Sequence, residues 1–249
     1  FAQMVEAGCE YAVMEVSSQG IKMHRTDGLY FNYAIFTNIS PDHIGPGEHA
    51  DFEEYLYYKT RLLNMCGIGL VNKDDEHAPQ IIKAANCELY TYSEESKEAD
   101  FVASDIRYVS QPDFVGTEFH ISGKYDMEVR LGIPGLFNVV NALAAVSVCS
   151  FLGLDQARIS HALENIRVNG RMEIVYTSER CTVLVDYAHN AVSMESLLST
   201  LRDYKPKRLV CVFGCGGNRS KDRRYSMGEI GGKMADLSII TADNSRYEK

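Results

Sequence analysis

A chain of 249 residues, 45% apolar and 24% charged, is long enough for one or two domains around a real core and has the composition of an ordinary globular protein. Its net charge of −9 argues against nucleic acids and acidic membrane surfaces as partners, and no apolar run is long enough for a transmembrane helix. The seven cysteines form no CxxC pair and no zinc spacing, a pattern typical of reduced thiols in a cytoplasmic protein.

The first part of the chain predicts strands and helices in alternation. Residues 1–10 are typical of the last turns of a helix capped by Gly8. Two apolar runs that stop at polar residues, 11–16 and 34–39, predict strands of a parallel sheet covered on both faces. Three elements follow in the same alternation: a helix over 50–65, a strand over 69–72 and a helix over 74–86.

The middle of the chain changes character at residue 87. Over 87–131, apolar and polar residues alternate between turn signals at 111–113 and 123–124, which predicts antiparallel β-structure. A long apolar helix is then predicted over 136–152, and a further helix over 155–166.

The last part restarts the alternation of strands and helices after a short connection that ends at Gly170. This order predicts an α/β fold with a doubly wound parallel sheet. We place a domain boundary at this point, which gives domains over 1–169 and 170–249. The elements predicted in the second domain are strands over 182–187, 208–213 and 237–241 and helices over 193–204 and 225–234.

Polar side chains come directly after several of the predicted strands. Ligands of open parallel sheets bind beyond the carboxyl ends of the strands, although polar residues there are also common in plain loops. Glu15 with His43 predicts a site for a hard cation such as Mg²⁺, whereas zinc would need more histidines or cysteines. The alternative is that Glu15 is a solvated strand end and His43 caps a loop. The other candidates at strand ends are Asn38, Asp42, Asp186, His189, Arg219, Asp243 and Arg246.

Lys59 stands on the apolar stripe of the helix predicted over 50–65. Asp51 can cap this helix, and Glu54 follows three residues later as in a capping box. A lysine on such a stripe usually extends its ammonium group to the surface. If Lys59 points inward instead, burial lowers its pKa and leaves a neutral, reactive amine. Such an amine can add carbon dioxide to form a carbamate, an anion that magnesium or a hydrogen-bonding partner could hold.

A glycine-rich segment, GCGGNR over 214–219, follows a predicted strand. Its backbone N–H groups can approach an anion, and the basic residues after it favour a phosphate or carboxylate ligand, although it departs from GxGxxG and can also be a solvated turn. Asn138 and Asn141 share one helix face, which fits recognition of a base or helix capping equally well. Neither a P-loop nor the GxSxG of serine hydrolases occurs in the chain.

Eight short motifs follow one another along the chain: MEVSS (14–18), TNISPDH (37–43), YYK (57–59), FN with NA (137–142), GRME (170–173), DYAH (186–189), GCGGNR (214–219) and DNSR (243–246). This set, in this order, resembles the Mur ligases, and within them the tripeptide synthetases. The resemblance covers nearly the whole chain, and 87–131 is its least distinctive part. It implies a central ATP-binding domain with a mostly parallel sheet, helices on both faces and a small antiparallel region, followed by part of a Rossmann-like C-terminal domain.

The resemblance also implies an activity: an ATP-dependent amide ligase of peptidoglycan synthesis that uses Mg²⁺ and joins a diamino acid to UDP-N-acetylmuramoyl-L-alanyl-D-glutamate. It implies a cytoplasmic monomer that binds neither nucleic acid nor membrane. The roles implied by motif match are magnesium binding for Glu15 and His43, carbamylation and metal positioning for Lys59, ATP binding for Asn38, Asn141, Arg171 and Asp186, contact with the UDP-muramoyl-dipeptide for Ser17 and Arg25, and binding of the incoming amino acid for Arg219, Asp243, Asn244 and Arg246.

The chain departs from the family pattern in ways that leave alternatives open. The UDP-binding domain, the P-loop and the end of the C-terminal domain are not within the 249 residues, so we expect a fragment that is inactive by itself. Gln19 replaces the usual histidine, and Ser245 replaces proline, whereas the retained Arg246 favours meso-diaminopimelate over lysine or another amine. The rival interpretations are a related ligase of the folylpolyglutamate or cyanophycin synthetase type and a non-catalytic module that has lost its P-loop.

Overall fold

The computed structural model describes residues 1–41, 44–45, 47–111, 113–218 and 221–248 of the chain. These residues divide into two compact units, Phe1–Asp100 and Phe101–Lys249. Both units combine helices with β-strands, and the predicted α/β class is confirmed. Within the described ranges, no helix has both the length and the apolar character needed to cross a bilayer.

The first unit is built on parallel strands. Strand β1 (Phe31–Phe36) pairs with β2 (Cys66–Asn72), and β2 pairs with β3 (Glu88–Ser93). Ala34 lies opposite Gly69 in the first pair. Leu63, Val71 and Ile81 are fully buried in a cluster formed by these strands and their helices. Its elements are helices α1 (Ala2–Glu6), α2 (Ser18–Lys22), α3 (Phe52–Thr60) and α4 (Ala78–Ala84) and strands β1 (Phe31–Phe36), β2 (Cys66–Asn72) and β3 (Glu88–Ser93).

The strand predicted over 11–16 is wrong for this structure. These residues form neither strand nor helix, and the side chain of Val13 is fully exposed. A parallel strand exists only where a neighbouring strand exchanges hydrogen bonds with it, and none of the described strands pairs with 11–16. The apolar character of residues 11–16 is therefore not sufficient to make them a strand. The second predicted strand does form, but β1 lies slightly earlier in the chain than 34–39.

Helix α3 begins as predicted and ends earlier. The Asp51 carboxylate accepts a hydrogen bond from the backbone N–H of Glu54 at 2.8 Å, which caps the helix. The Glu54 carboxylate accepts from Ala50 N at 2.7 Å rather than from the capping residue itself. After Thr60 the chain tightens into a 3-10 turn over Arg61–Asn64.

The second unit begins with antiparallel strands. Strand β5 pairs with β4 on one side and with β6 on the other, so the antiparallel prediction is confirmed from residue 101 onward, whereas β3 pairs in parallel with β2. Helix α5 buries Val139, Leu143 and Val146 completely or nearly so. The elements of this part are β4 (Phe101–Gln111), β5 (Phe114–Gly123), β6 (Met127–Leu131), α5 (Leu136–Phe151) and α6 (Gln156–Glu164).

The remainder of the second unit holds a hairpin and a parallel pair of strands. Strand β8 pairs antiparallel with β7, because only a short turn separates them, so the expectation that 182–187 joins a parallel sheet is wrong. Strands β9 and β10 pair in parallel, and Met194, Leu198 and Met227 are buried against them. The elements are β7 (Glu173–Thr177), β8 (Thr182–Val185), α7 (Ala191–Asp203), β9 (Val210–Phe213), α8 (Asp222–Met234) and β10 (Leu237–Ile240).

The Tyr204 hydroxyl joins three elements of the second unit. It lies 3.0 Å from the Thr117 hydroxyl of β5 and accepts a hydrogen bond from the Gly135 N–H, just before α5, at 3.1 Å. Its ring lies 5.1 Å from the ring of Tyr108. One side chain after α7 therefore satisfies polar groups on β5 and at the start of α5.

Replacing Tyr204 by phenylalanine is expected to lower the free energy of unfolding by ~1–2 kcal/mol, because the buried Thr117 hydroxyl and the Gly135 N–H lose their partner. Urea unfolding of the chain measures this change. Tyr176→Phe is the matched control, since Tyr176 is 56% exposed. Equal stability of the two variants would show that the Tyr204 hydroxyl contributes nothing.

Candidate functional site

The Lys59 amine lies over aromatic rings at the end of β1. Its Nζ is 5.5 Å from the ring centroid of Tyr55 and 5.9 Å from that of Phe36, and it donates a hydrogen bond to the Asn38 carbonyl oxygen at 3.1 Å. Burial lowers the pKa of Lys59, and the negative charge of Asp75 offsets part of this effect. The half-buried side chain thus turns toward the end of β1, and more of the amine is neutral than in a solvated lysine.

The carboxyl end of β1 is held from a second side. The peptide N–H of Ile39 donates to the Asp75 carboxylate at 2.8 Å, and Asp75 also accepts from the N–H of His77 at 2.9 Å. The Asp75 side chain is only 5% exposed. Sequence reasoning placed Asp75 in the first turn of a helix and missed this contact. The double acidic residue after a strand was the available signal.

The helix predicted to begin at residue 74 begins at Ala78 instead. The Asp74 carboxylate accepts from Glu94 N at 2.9 Å and from the Ser93 hydroxyl, while Asp75 binds backbone groups as described above. These bonds favour a turn over a helix, as short acidic side chains often do.

Burial, with the like charges of Asp74 and Glu95, raises the pKa of Glu94 to about 7 from its ordinary 4.5. Between these values the folded chain keeps a proton that the unfolded chain releases. The free energy of unfolding is therefore expected to fall as pH rises from about 4.5 to about 7, with a slope approaching one proton, and to level off above.

Glu94→Gln should remove this slope, and urea unfolding between pH 4.5 and 8 measures it. Glu98→Gln is the control because its side chain is 90% exposed. A slope that persists in Glu94→Gln would assign the proton to another group.

The residues predicted to bind magnesium and the UDP-linked substrate lie near the start of the chain. Glu15 is exposed and has no hydrogen-bond or ion-pair partner among the described residues. Ser17 caps α2, its hydroxyl accepting from Gly20 N at 3.0 Å. Arg25 is exposed, with a guanidinium nitrogen 3.5 Å from the Met23 sulfur. His43 and Asp42 lie outside the described residues. Among the residues that the structure describes, no group of three or more histidine, cysteine or acidic side chains is placed to hold a metal ion.

Two residues predicted to contact the nucleotide, Arg171 and Asp186, lie together at the β7–β8 hairpin. The Asp186 carboxylate accepts backbone hydrogen bonds from Met172 and Ala188, each at 2.8 Å. The bond to Met172 holds the neighbouring Arg171, whose guanidinium lies 4.8 Å from the ring centroid of Tyr187. Asp186 and Arg171 thus form one arrangement in which the carboxylate fixes the backbone that carries the cation.

The predicted asparagine pair lies at the start of α5. The Asn138 amide nitrogen donates to the Pro134 carbonyl oxygen at 2.7 Å, so this side chain caps the turn. Asn141 is exposed, and its amide nitrogen is 3.5 Å from the side-chain oxygen of Asn138. Asn141 is therefore the member of the pair whose polar atoms remain accessible.

A cavity of about 250 Å³ lies where the glycine-rich segment meets the segment after β10. Asp243 lines it, as does Arg224, one of the basic residues predicted to favour an anionic ligand. Glu248, which the sequence did not single out, also lines it. Asn244 and Arg246 lie on the same segment, and their own contact is the Arg246 N–H donating to the Asn244 side-chain oxygen at 3.0 Å. Arg219 lies outside the described residues.

Side-chain and backbone bonds hold the two walls of this cavity together. Gly217 N donates to the Asn244 carbonyl oxygen at 2.8 Å, and Asn218 N donates to a Glu248 carboxylate oxygen at 3.0 Å. The other oxygen of Glu248 pairs with the Arg224 guanidinium. Two signals in the sequence could have revealed this pair: the arginine that follows the glycine-rich segment, and the acid two residues beyond DNSR.

The chain matches two protein families, described as "Mur ligase middle domain" over residues 1–149 and "Mur ligase, glutamate ligase domain" over residues 170–249. The chain is 39% identical over 246 residues to UDP-N-acetylmuramoyl-L-alanyl-D-glutamate–2,6-diaminopimelate ligase 2 of Clostridium acetobutylicum, a match that covers 98% of this chain and 50% of that protein. It is 39% identical over 258 residues to the ligase of the same type from Alkaliphilus oremlandii, covering 99% and 50%.

A solved structure shows the same likeness in three dimensions. The structure of a UDP-N-acetylmuramoyl-L-alanyl-D-glutamate–2,6-diaminopimelate ligase superposes with a TM-score of 0.76 at 30% sequence identity. The match covers 98% of this chain and 50% of that chain. The chain therefore spans about half the length of the relatives that it matches.

Proposed function

Because the chain belongs to the Mur ligase family, we propose that the whole protein is an ATP-dependent amide ligase that adds a diamino acid to UDP-N-acetylmuramoyl-L-alanyl-D-glutamate. The observation that carries this proposal is the likeness to diaminopimelate ligases over 98% of the chain, in sequence and in structure. The product would serve peptidoglycan synthesis, and through it cell shape and division, in the cytoplasm. We also propose that 1–169 and 170–249 are its domains and that it acts as a monomer.

The reaction has two chemical steps. The substrate carboxylate attacks the γ-phosphorus of ATP, and ADP leaves, which forms an acyl phosphate. The diamino acid nitrogen then attacks the acyl carbon, the C–O bond to phosphate breaks, and the nitrogen loses a proton. Both steps depend mostly on positioning and on neutralising negative charge, so cations and fixed donors are what the protein must supply.

The first unit would supply the metal-binding and substrate residues. Glu15 and His43 would hold Mg²⁺. The Glu15 carboxylate, exposed and without a partner among the described residues, is the kind of oxygen donor this hard cation prefers. Bound Mg²⁺ would neutralise phosphate charge during the transfer. Lys59, once carbamylated, would orient the site, and its pKa, lowered by burial, supports this role. Asn38 would contact ATP, and Ser17 and Arg25 the UDP-linked substrate.

The second unit would supply nucleotide and amine contacts. Asn141 would meet the adenine through its accessible amide, and Arg171, held beside Asp186, would contact the nucleotide. Asp243, which lines the cavity of about 250 Å³, would receive the diamino acid there. Asn244, Arg246 and Arg219 are proposed to bind the same amino acid by motif match. A guanidinium such as that of Arg246 can grip the distal carboxylate of meso-diaminopimelate, which lysine lacks.

An amine screen tests the proposal. The whole gene product that contains this chain is supplied with ATP, Mg²⁺ and the UDP-muramoyl-dipeptide, and phosphate release and the ligated product are measured for each amine. We expect turnover with meso-diaminopimelate and much less with lysine. Activity with glutamate alone would favour a folylpolyglutamate-type ligase, and no turnover with any amine would overturn the proposal.

A further inference from the structure

Asp75 and Lys59 hold opposite ends of one peptide group. The carbonyl oxygen of Asn38 accepts from the Lys59 amine at 3.1 Å, and the N–H of Ile39, in the same peptide bond, donates to Asp75 at 2.8 Å. A trans peptide points these two groups in opposite directions, so the acid and the amine lie on opposite sides of the strand end. The position of the carbonyl that holds Lys59 thus depends on the acid behind it.

The long-range bond is not needed for the local turn. Asp75 stabilises its own turn through the bond to His77 N, two residues on, as aspartates commonly do. The bond to Ile39 instead reaches 36 residues back along the chain. Both carboxylate oxygens are used, one for each N–H, and the side chain is 5% exposed. Burying a carboxylate in this way is costly unless both oxygens are paired.

We propose that Asp75 is a positioning residue: it fixes the Asn38–Ile39 peptide so that this peptide holds the Lys59 amine at the carboxyl end of β1. This positioning of Lys59 is a property of the 249-residue chain, whereas its importance for ligation rests on the proposed function. Asp75 touches no reacting atom in this scheme: it positions Lys59 through the peptide, in addition to the effect of its charge on the pKa of the amine.

The neighbouring Asp74 provides a matched control. It belongs to the same loop and also accepts a distant backbone N–H, that of Glu94, at 2.9 Å. Its other partner is the Ser93 hydroxyl rather than a group on β1. Replacing either acid by its amide disturbs the same loop, but only the change at residue 75 weakens the grip on the peptide that holds Lys59. An amide has one acceptor oxygen, so Asp75→Asn can satisfy only one of the two N–H groups.

The test measures how fast Lys59 reacts with a lysine-acylating reagent, by mass spectrometry of the 249-residue chain, relative to the exposed Lys83. We expect Asp75→Asn to raise the relative rate of acylation at Lys59 by about tenfold, because the loss of one charge-assisted hydrogen bond loosens the peptide that holds the Lys59 amine. Asp74→Asn should leave it within twofold of wild type. Hydrogen exchange at the Ile39 amide should accelerate in Asp75→Asn alone. Unchanged rates at both positions, or equal increases in both variants, would overturn the proposal.

Asp75→Glu separates position from charge and remains informative if the amide variant folds poorly. It keeps the negative charge but moves the carboxylate by one methylene, so we expect faster acylation of Lys59 here too. Wild-type reactivity in this variant would show that charge alone acts on Lys59 and would refute positioning. In the amine screen, kcat should fall in Asp75→Asn with KM for the amine unchanged. A release of Lys59 without any ligase activity would instead reject the proposed function and keep the positioning role.

Discussion

Replacing Lys59 by alanine is expected to lower kcat for amide ligation by the whole protein at least ~10³-fold. The fold should remain intact. The Lys59 amine lies over the rings of Tyr55 and Phe36, and Lys59 alone is proposed to carry the carbamate. The fold should survive because, within the part of the chain that the structure describes, the side chain makes one hydrogen bond, to the Asn38 carbonyl oxygen, whose loss costs about 1 kcal/mol. Phosphate release and thermal unfolding measure the two effects.

Lys59→Arg distinguishes the carbamate from a simple cation. Arginine keeps a positive charge near the same rings, but its guanidinium stays protonated and cannot add carbon dioxide as a neutral amine can. We expect this variant to be as inactive as Lys59→Ala. The exposed Lys83, replaced by alanine, serves as the control and should retain full activity. Wild-type turnover in Lys59→Ala would sink the carbamate assignment, and recovery in Lys59→Arg would reassign Lys59 as a cation.

Gly217→Ala is expected to reduce kcat/KM for the diamino acid by ~10²-fold, because the added carbon would displace one wall of the cavity proposed to bind that amino acid. A Cβ at residue 217 would lie 1.9 Å from the carbonyl oxygen of Ser245 and 2.5 Å from its carbonyl carbon. These are backbone atoms, which cannot rotate away. The segment that carries Asp243 must shift, and the bond from Gly217 N to Asn244 O is lost with it.

Gly216→Ala is the matched control for this prediction. A Cβ there would meet its nearest neighbour, the Asn244 carbonyl oxygen, at 3.8 Å, which is ordinary contact. Amine-dependent turnover should therefore change little in Gly216→Ala. In Gly217→Ala, formation of the acyl phosphate without amine should persist, since the cavity is proposed to serve only the second step. Loss of the first step as well would show that the substitution disrupts more than the amine site.

The position of Lys59 on the apolar stripe could be inferred from the sequence, whereas the long-range contact of Asp75 could not, and the difference is physical. Helical spacing from Phe52 and Tyr55 identifies the buried stripe, so the position of Lys59 on that stripe could be inferred from nearby residues. The direction of its amine depends on a carbonyl 21 residues earlier in the chain. Asp75 binds an N–H 36 residues away, and local patterns carry no information about such a pair.

The same reason explains the wrong strand and the missed ion pair. Residues 11–16 have the apolar character of a strand, but pairing requires a neighbour that only the tertiary structure can supply. Arg224 and Glu248 are ordinary charged residues in the sequence and become a pair only when α8 and the segment after β10 fold together.

By itself, the sequence determined the α/β class, most helices and the ordered set of motifs, because these depend on local periodicity, capping and residue type. It thereby determined membership of the Mur ligases and the candidate residues. Only the tertiary structure decided that the Lys59 amine turns toward the end of β1, that Asp75 holds the peptide behind it, and that Gly217 must lack a side chain. Each of these depends on atoms distant in the chain and close in space, where burial and hydrogen bonding act.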